Sequence, residues 1–181
     1  MKQKILAGLL VIIIALSFLP SFVAPWDVYA GSTTLTPSKD TKISAESPDT
    51  NFGTQVNIAV GKLNYLILPD ITFRSLVEFS DPGLPEDSTI TSAYLQLYYF
   101  DSAGDSPVGG TLYAQRLLRV GIDPWLETHA NWNRYISGSN WNTAGAAGSG
   151  TDYSSTGQAT ATVPASYDWV YWDVTDQVKT A

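Results

Sequence analysis

Cysteine is absent from this chain, and histidine occurs once, at His129. The first absence removes disulfides as a brace for the fold. The two together rule out a His/Cys metal site. Positive charge is also scarce: 10 Lys and Arg stand against 17 Asp and Glu, a net charge of −7. Phosphate contacts need a surplus of Lys and Arg, so nucleic acid is a poor partner, and an anionic membrane surface equally so. A run long enough to span a membrane is lacking too. The apolar stretch Ile5–Leu19 carries no charge, but as a helix it would rise only about 22 Å against a hydrocarbon core of roughly 30 Å.

What precedes and follows that stretch gives it a different reading. Met1-Lys2-Gln3-Lys4 is a short basic start, Pro20 ends the apolar run, and Val28-Tyr29-Ala30 offers the small residues that a signal peptidase needs. The pattern is that of a secretory signal peptide over residues 1–30, expected to be helical before removal. The alternative is an uncleaved anchor, in which case this segment would be the chain's one membrane contact. A lipid-anchored form is excluded, because no cysteine follows. Removing Lys2, Lys4 and Asp27 shifts the net charge from −7 to −8. The remaining 151 residues, 31–181, suffice for one domain with a core. Residues 31–38 read as a leader and 39–181 as the domain.

The domain is rich in period-two patterns. Thr91, Ala93, Leu95, Leu97 and Tyr99 fall on one face of a strand, with Ser92, Tyr94, Gln96 and Tyr98 on the other. Leu112, Ala114, Arg116 and Leu118 alternate with Tyr113, Gln115, Leu117 and Arg119. Val170, Trp172 and Val174 alternate with Trp169, Tyr171 and Asp173. Shorter strands are expected at Thr41–Ala45, Val56–Val60, Phe73–Phe79 and Ala159–Val163. Ser47-Pro48-Asp49, Asn51-Phe52-Gly53, Asp81-Pro82-Gly83 and Gly104-Asp105-Ser106-Pro107 supply turns between them. No long segment after residue 30 holds a 3.6-residue period. The expectation is an all-β fold, an antiparallel, jelly-roll-like β-sandwich following the signal helix. The Gly-, Ser- and Ala-rich stretch 138–157 reads as a long loop, a feature usually functional or mobile.

Few residues suggest chemistry. A Ser-His-Asp triad would need His129 as its base, and no nucleophile-elbow motif accompanies it. Asp123 and Glu127 could form a carboxylate pair, but acidic residues are common enough to pair by chance. An enzyme is therefore the least supported class. No cofactor is required; calcium is the candidate ion, with Asp40, Asp49, Asn51 and Asp152 as oxygen donors, against the simpler reading that these residues only build turns. Lys42 and Arg74 lie inside strands of an acidic chain. Arg74 could clamp a uronate carboxylate bidentately or pair with Glu78 two residues along.

Several segments in order resemble a known family. These are Asp40-Thr41-Lys42-Ile43-Ser44, Asp49-Thr50-Asn51-Phe52-Gly53, Arg74-Ser75-Leu76-Val77-Glu78-Phe79, Ile90–Leu97, Trp125-Leu126-Glu127 with Trp132-Asn133, and Trp172-Asp173-Val174-Thr175. Together they are similar to the DNRLRE domain family, also grouped as carbohydrate-binding module family 96. The resemblance implies a jelly-roll sandwich in an extracellular or cell-surface setting, often beside catalytic or adhesive domains. Some members bind acidic polysaccharides such as alginate through basic residues. Others resemble archaeal surface proteins that act in cell aggregation. Lys42 stands where an aromatic is common. The family also continues past Trp-Asp-Val-Thr into a helix, for which Thr175 is the expected N-cap, and a closing strand. The expectation is a C-terminally truncated domain, its last strand supplied by downstream residues or by a strand-exchange partner. The matched Trp, Glu and Asp residues read first as braces, with Glu127 and Asp173 accepting backbone N–H groups.

These readings converge on a secreted, non-catalytic module binding an acidic or cell-wall polysaccharide through Lys42, Lys62 and Arg74 on one sheet face. The alternative is a structural or adhesive surface module without a small ligand. Cleavage is expected between Ala30 and Gly31; N-terminal sequencing of protein from the medium should begin at Gly31, and an intact Met1 in a membrane fraction would overturn it.

Overall fold

The alternation along Thr89–Tyr99 sets the plane on which the rest of the chain is assembled. In a computed structural model the described residues are 10–17, 30–63, 70–84, 88–101, 107–121, 124–154 and 156–180, with side chains from residue 31 onward. The strands are β1 (Leu10–Ser17), β2 (Ala30–Leu35), β3 (Pro37–Ser44), β4 (Gly61–Leu63), β5 (Ile71–Phe79), β6 (Thr89–Tyr99), β7 (Thr111–Ala114), β8 (Arg134–Ile136), β9 (Ser139–Asn140), β10 (Ala159–Thr162) and β11 (Asp168–Asp173), followed by the short helix α1 (Thr175–Lys179). Sheet orders are β11-β6-β1-β2, β3-β5-β4, β10-β7 and β8-β9, with antiparallel ladders throughout. The expected all-β antiparallel sandwich is what forms.

Inward residues of the first sheet meet those of the others in one apolar core. Ala93, Leu97 and Tyr99 of β6 and Val170 and Trp172 of β11 pack with Leu112 of β7, Ala159 of β10 and Ile58, while Val77 and Phe79 of β5 close the edge. The stripe Ala93–Leu95–Leu97–Tyr99 is thus interior, as the alternation implies; Leu95 is partly buried against the core and Leu97 is fully within it. Trp172 ties the layers by more than packing: its indole N–H donates to the Leu112 carbonyl at 3.2 Å.

The opposite face of β3 and β5 is not left to water. Ile43 and Leu76 lie there, and a second apolar cluster of Trp125, Ala130, Tyr135, Trp141 and Ala146 covers them. All of the covering residues come from the long excursion between β7 and β10. The stretch 138–157 is therefore neither a free loop nor a binding loop by default. It starts with β9 paired to β8 and buries Trp141, Ala146 and Asp152.

Leu10–Ser17 lies as a strand between β6 and β2, and the signal helix expected over this stretch is not shown; its β-branched Val11-Ile12-Ile13-Ile14 run suits a ladder. Two expectations are corrected. Val56–Val60 forms no ladder strand; Val56 is exposed and Ile58 buried, the Ala59 carbonyl is held by the Ser75 hydroxyl at 2.9 Å, and the strand begins only at Gly61. Thr175 is not the N-cap of α1, which is Val174 with no side-chain cap. The Thr175 hydroxyl instead donates to Asp173 at 2.6 Å and accepts the Ala93 N–H at 3.0 Å, so it is occupied in joining β11 to β6. The turn residues Gly104–Ser106, the peptidase residues Val28-Tyr29 and Asp123 lie outside the described residues.

Leu97 fills the centre of the main core, so Leu97→Ala is expected to cost about 2–5 kcal/mol in chemical denaturation. A loss under about 1 kcal/mol would place the face outward instead.

Candidate functional site

The motif residues first converge on a corner above β3. Asn51 donates from its side-chain amide to the carbonyls of Glu127 (2.6 Å) and Ala130 (2.7 Å). Gly53 lies so close beneath that a Cβ there would meet the Glu127 carbonyl oxygen at 2.2 Å, which only glycine avoids. Glu127 accepts the Asp40 N–H at 2.9 Å. Asn131 accepts the N–H groups of Asn133 (3.0 Å) and Arg134 (2.9 Å) and donates to the Asp49 carbonyl at 3.1 Å. Trp141 donates its indole N–H to the Asn131 carbonyl at 2.8 Å. Asn51, Gly53, Glu127 and Asn131 thus brace the corner beside the buried Trp125.

The same is true of the candidate oxygen donors for calcium. Asp152 is fully buried, and its carboxylate accepts N–H groups from Asn142 (2.8 Å), Thr143 (2.9 Å) and Gly148 (2.9 Å), with Arg119 Nε 3.7 Å away. Asp49 accepts from Asn133 and Arg134, each at 3.1 Å, and these bonds hold its carboxyl below the usual range. Burial, and then the neighbouring Glu127 carboxylate, raise that of Asp40. Among the described residues no three acidic or histidine side chains gather into a metal site. Glu127, the describable half of the carboxylate pair, is engaged with Asp40, and His129 is exposed at a turn.

The three cations expected to share one face do not. In the β3–β5 register Ile43 stands opposite Arg74 and Lys42 opposite Ser75; partners across an antiparallel ladder share a face and neighbours along a strand alternate. Lys42 and Arg74 therefore project to opposite sides. Lys62, opposite Thr72, shares the Arg74 side. Arg74 points into the second core, donates to the Gly145 carbonyl and lies 5.5 Å from the Trp132 ring centroid; burial lowers its pKa. Glu78 is taken by Lys39 at 2.7 Å. Lys42 sits 5.0 Å from the Phe52 ring centroid. Lys62 pairs with Asp70 at 2.6 Å beside a cleft of about 330 Å³ between β4 and β7, lined also by Thr72, Gly110 and Thr111. The other cations are engaged as well: Arg116 with the Thr180 carbonyl, Arg119 over Tyr135, Arg134 with Asp49, and Lys179 near Asp173.

What the sandwich does present is the outer face of β6 and β11. The ladder sets Tyr94 opposite Asp173, Gln96 opposite Tyr171 and Tyr98 opposite Trp169, so all six side chains share the face away from the core. Tyr94 is 38% exposed and Tyr171 52%; Tyr98 and Trp169 are partly exposed and meet edge to face at 5.4 Å. Asp173, at one end, accepts the Thr175 hydroxyl and N–H, and these bonds keep its carboxyl below the usual range. Sequence alternation shows each stripe separately. It does not show that two distant strands pair, and that pairing is what makes a platform.

Residues 31–181 match the model of carbohydrate-binding module family 96, and the chain belongs to that family. No curated protein and no solved structure matches it.

Because the corner and the Asp152 loop hold the second core, their loss should register as stability. Asp152→Asn, which turns an amide group toward N–H donors, is expected to cost about 3 kcal/mol, and Gly53→Ala about 1–3 kcal/mol, in urea unfolding. Wild-type stability in both would show that the excursion folds without them.

Proposed function

We propose that this member of carbohydrate-binding module family 96 is a secreted, non-catalytic module that holds a polysaccharide on the outer face of β6 and β11. The open row of Tyr94, Tyr98, Trp169 and Tyr171 carries the reading. Aromatic rings with one face in water give apolar area for the C–H faces of pyranose rings at little conformational cost. The outer side of β3 and β5 is covered by the second core, whereas the β6–β11 face keeps its row of rings open. Secretion is supported by the basic start, the short apolar run and the Val-Tyr-Ala end of residues 1–30.

An acidic glycan held jointly by Lys42, Lys62 and Arg74 is less well supported, since the register divides them and Arg74 serves the second core. A structural or adhesive module remains a second reading, favoured by one observation: Asn51, Gly53, Glu127 and Asp173 are all used in bracing the fold.

Tyr171→Ala and Trp169→Ala are each expected to weaken binding to the preferred polysaccharide about tenfold or more, equivalent to ~1.4 kcal/mol, with the melting temperature nearly unchanged. The measurement is calorimetry or affinity electrophoresis across a glycan panel. Unaltered binding in both variants would move the site off this face.

A further inference from the structure

We propose that the mature chain pairs with a second copy of itself along the edge of β6 that β1 covers, joining two outer β6–β11 faces into one platform. This rests on the secretion and carbohydrate-binding readings above and adds a partner to the same face.

The place of β1 is the first ground. It runs antiparallel between β6 and β2, matched to β6 from Leu10 opposite Leu97 to Ser17 opposite Thr89. It lies within residues 1–30, so cleavage after Ala30 takes it away. One whole edge of β6 then loses its ladder, while β11 stays on the other edge. Backbone N–H and C=O groups along an open edge are a template for another strand. β2 is poorly suited to close the gap. Among the described residues its ladder neighbour is β1. After cleavage it keeps only Gly31–Leu35, at a new N-terminus prone to fray. It also runs parallel to β6, both being antiparallel to β1, and parallel pairing is the less stable kind.

The sequence of β6 is the second ground. Strands at sheet edges are ordinarily short, or carry a charge or a proline that blocks further pairing. Thr89–Tyr99 has 11 residues, and none of them is charged, proline or glycine. Such a strand is protected where β1 covers it and unprotected once β1 has gone. The ladder shifts near its first residues, between Ile90 and Ser92, and is regular from Ser92 to Leu97. A long, regular, uncharged edge is a site of association.

Symmetry selects a second copy as the occupant. Two β6 strands brought edge to edge about a two-fold axis perpendicular to the sheet run antiparallel, and each meets the same surface that it presents. Opposed residues in an antiparallel ladder share a face. The outer Ser92, Tyr94, Gln96 and Tyr98 of one copy therefore meet outer residues of the other, and the inner Ala93, Leu95 and Leu97 meet inner ones. The strand order becomes β11-β6-β6-β11. Tyr94, Tyr98, Trp169 and Tyr171 of both copies then lie on one side of a single sheet, about 14 Å across between its outer strands. One copy alone supplies half of that surface.

The test uses protein exported by its own leader, collected from the medium and confirmed to begin at Gly31. Sedimentation equilibrium without ligand should show a reversible monomer–dimer equilibrium that salt leaves unchanged, because the pairing strand is uncharged. Amide exchange should show Ser92–Leu97 better protected in the dimer than after dilution to monomer. Ser92→Lys sets a lysine from each copy on one face of the joined strands. It should weaken dimerisation about fivefold or more and leave the melting temperature of the dilute monomer unchanged. The exchange pattern of the wild type provides a readout that does not depend on that variant folding well. The mass of one chain at every concentration, or open-ended aggregation, would overturn the inference. So would a dimer whose Ser92–Leu97 amides gain no protection, or a leader still attached. Glycan binding is measured on the same material. A dimer that binds no glycan keeps the pairing and overturns the carbohydrate-binding reading; a monomer that binds one does the reverse.

Discussion

The Asp152 carboxylate is the point on which the layout of this molecule turns. The excursion between β7 and β10 is made largely of irregular backbone, and irregular backbone can be buried only if its N–H groups find acceptors. Asp152 supplies an acceptor to three of them at once, from Asn142, Thr143 and Gly148. A buried carboxylate would itself be prohibitive without such partners. Each solves the other's problem. The result is a loop folded tightly enough to lay Trp141 and Ala146 over Ile43 and Leu76. That cap decides what the rest of the surface can do. It closes the outer side of β3 and β5 and draws Arg74 inward to the Gly145 carbonyl and the Trp132 ring. It leaves the outer side of β6 and β11 open.

A chain without cysteine needs some substitute for covalent bracing, and the motif residues of the corner are that substitute. Asn51 reaches two carbonyls across the corner, Gly53 permits backbone to touch backbone, and Asn131 gathers both neighbouring amides and the Asp49 carbonyl. These are long-range clamps between segments some 80 positions apart, so each shortens the freedom of a large loop. Such clamps account for the placement of these residues without any appeal to a ligand. Of the six residues on the outer β6–β11 face, Tyr94, Gln96 and Asp173 lie within the motif segments and Tyr98, Trp169 and Tyr171 outside them.

How much of this was legible in the sequence follows from which forces are local. The inward stripe Ala93–Leu95–Leu97–Tyr99 and the outward Tyr94–Gln96–Tyr98 were readable because side chains alternate along one strand whatever its neighbours. Glu127 and Asp173 as acceptors of backbone N–H were readable from residue type and turn context. The opposite orientation of Lys42 and Arg74 was not, because it depends on the register between β3 and β5, which places Ile43 rather than Lys42 across from Arg74. The strand at Leu10–Ser17 was missed for a similar reason. An uncharged apolar run fits a helix or a strand equally well by periodicity, and its environment beside β6 decides. The 138–157 stretch looked unstructured because its order comes from one buried carboxylate and two tryptophans, not from a repeating pattern.

The division of labour between the two layers also accounts for the odd electrostatics. A net charge of −7 would hinder recognition of an anionic chain unless cations were concentrated on one surface. The fold does the reverse, distributing its cations among carboxylates, carbonyls and rings, mostly at the second layer and its cap, where they stabilise loops. Aromatic residues are divided in a complementary way: Trp125, Trp141 and Trp172 are buried for packing, while Trp169 stays at the open face with three tyrosines. The outer β6–β11 face thus carries rings rather than cations, and apolar contact with such rings does not depend on long-range attraction, so the negative charge borne elsewhere is no obstacle to it.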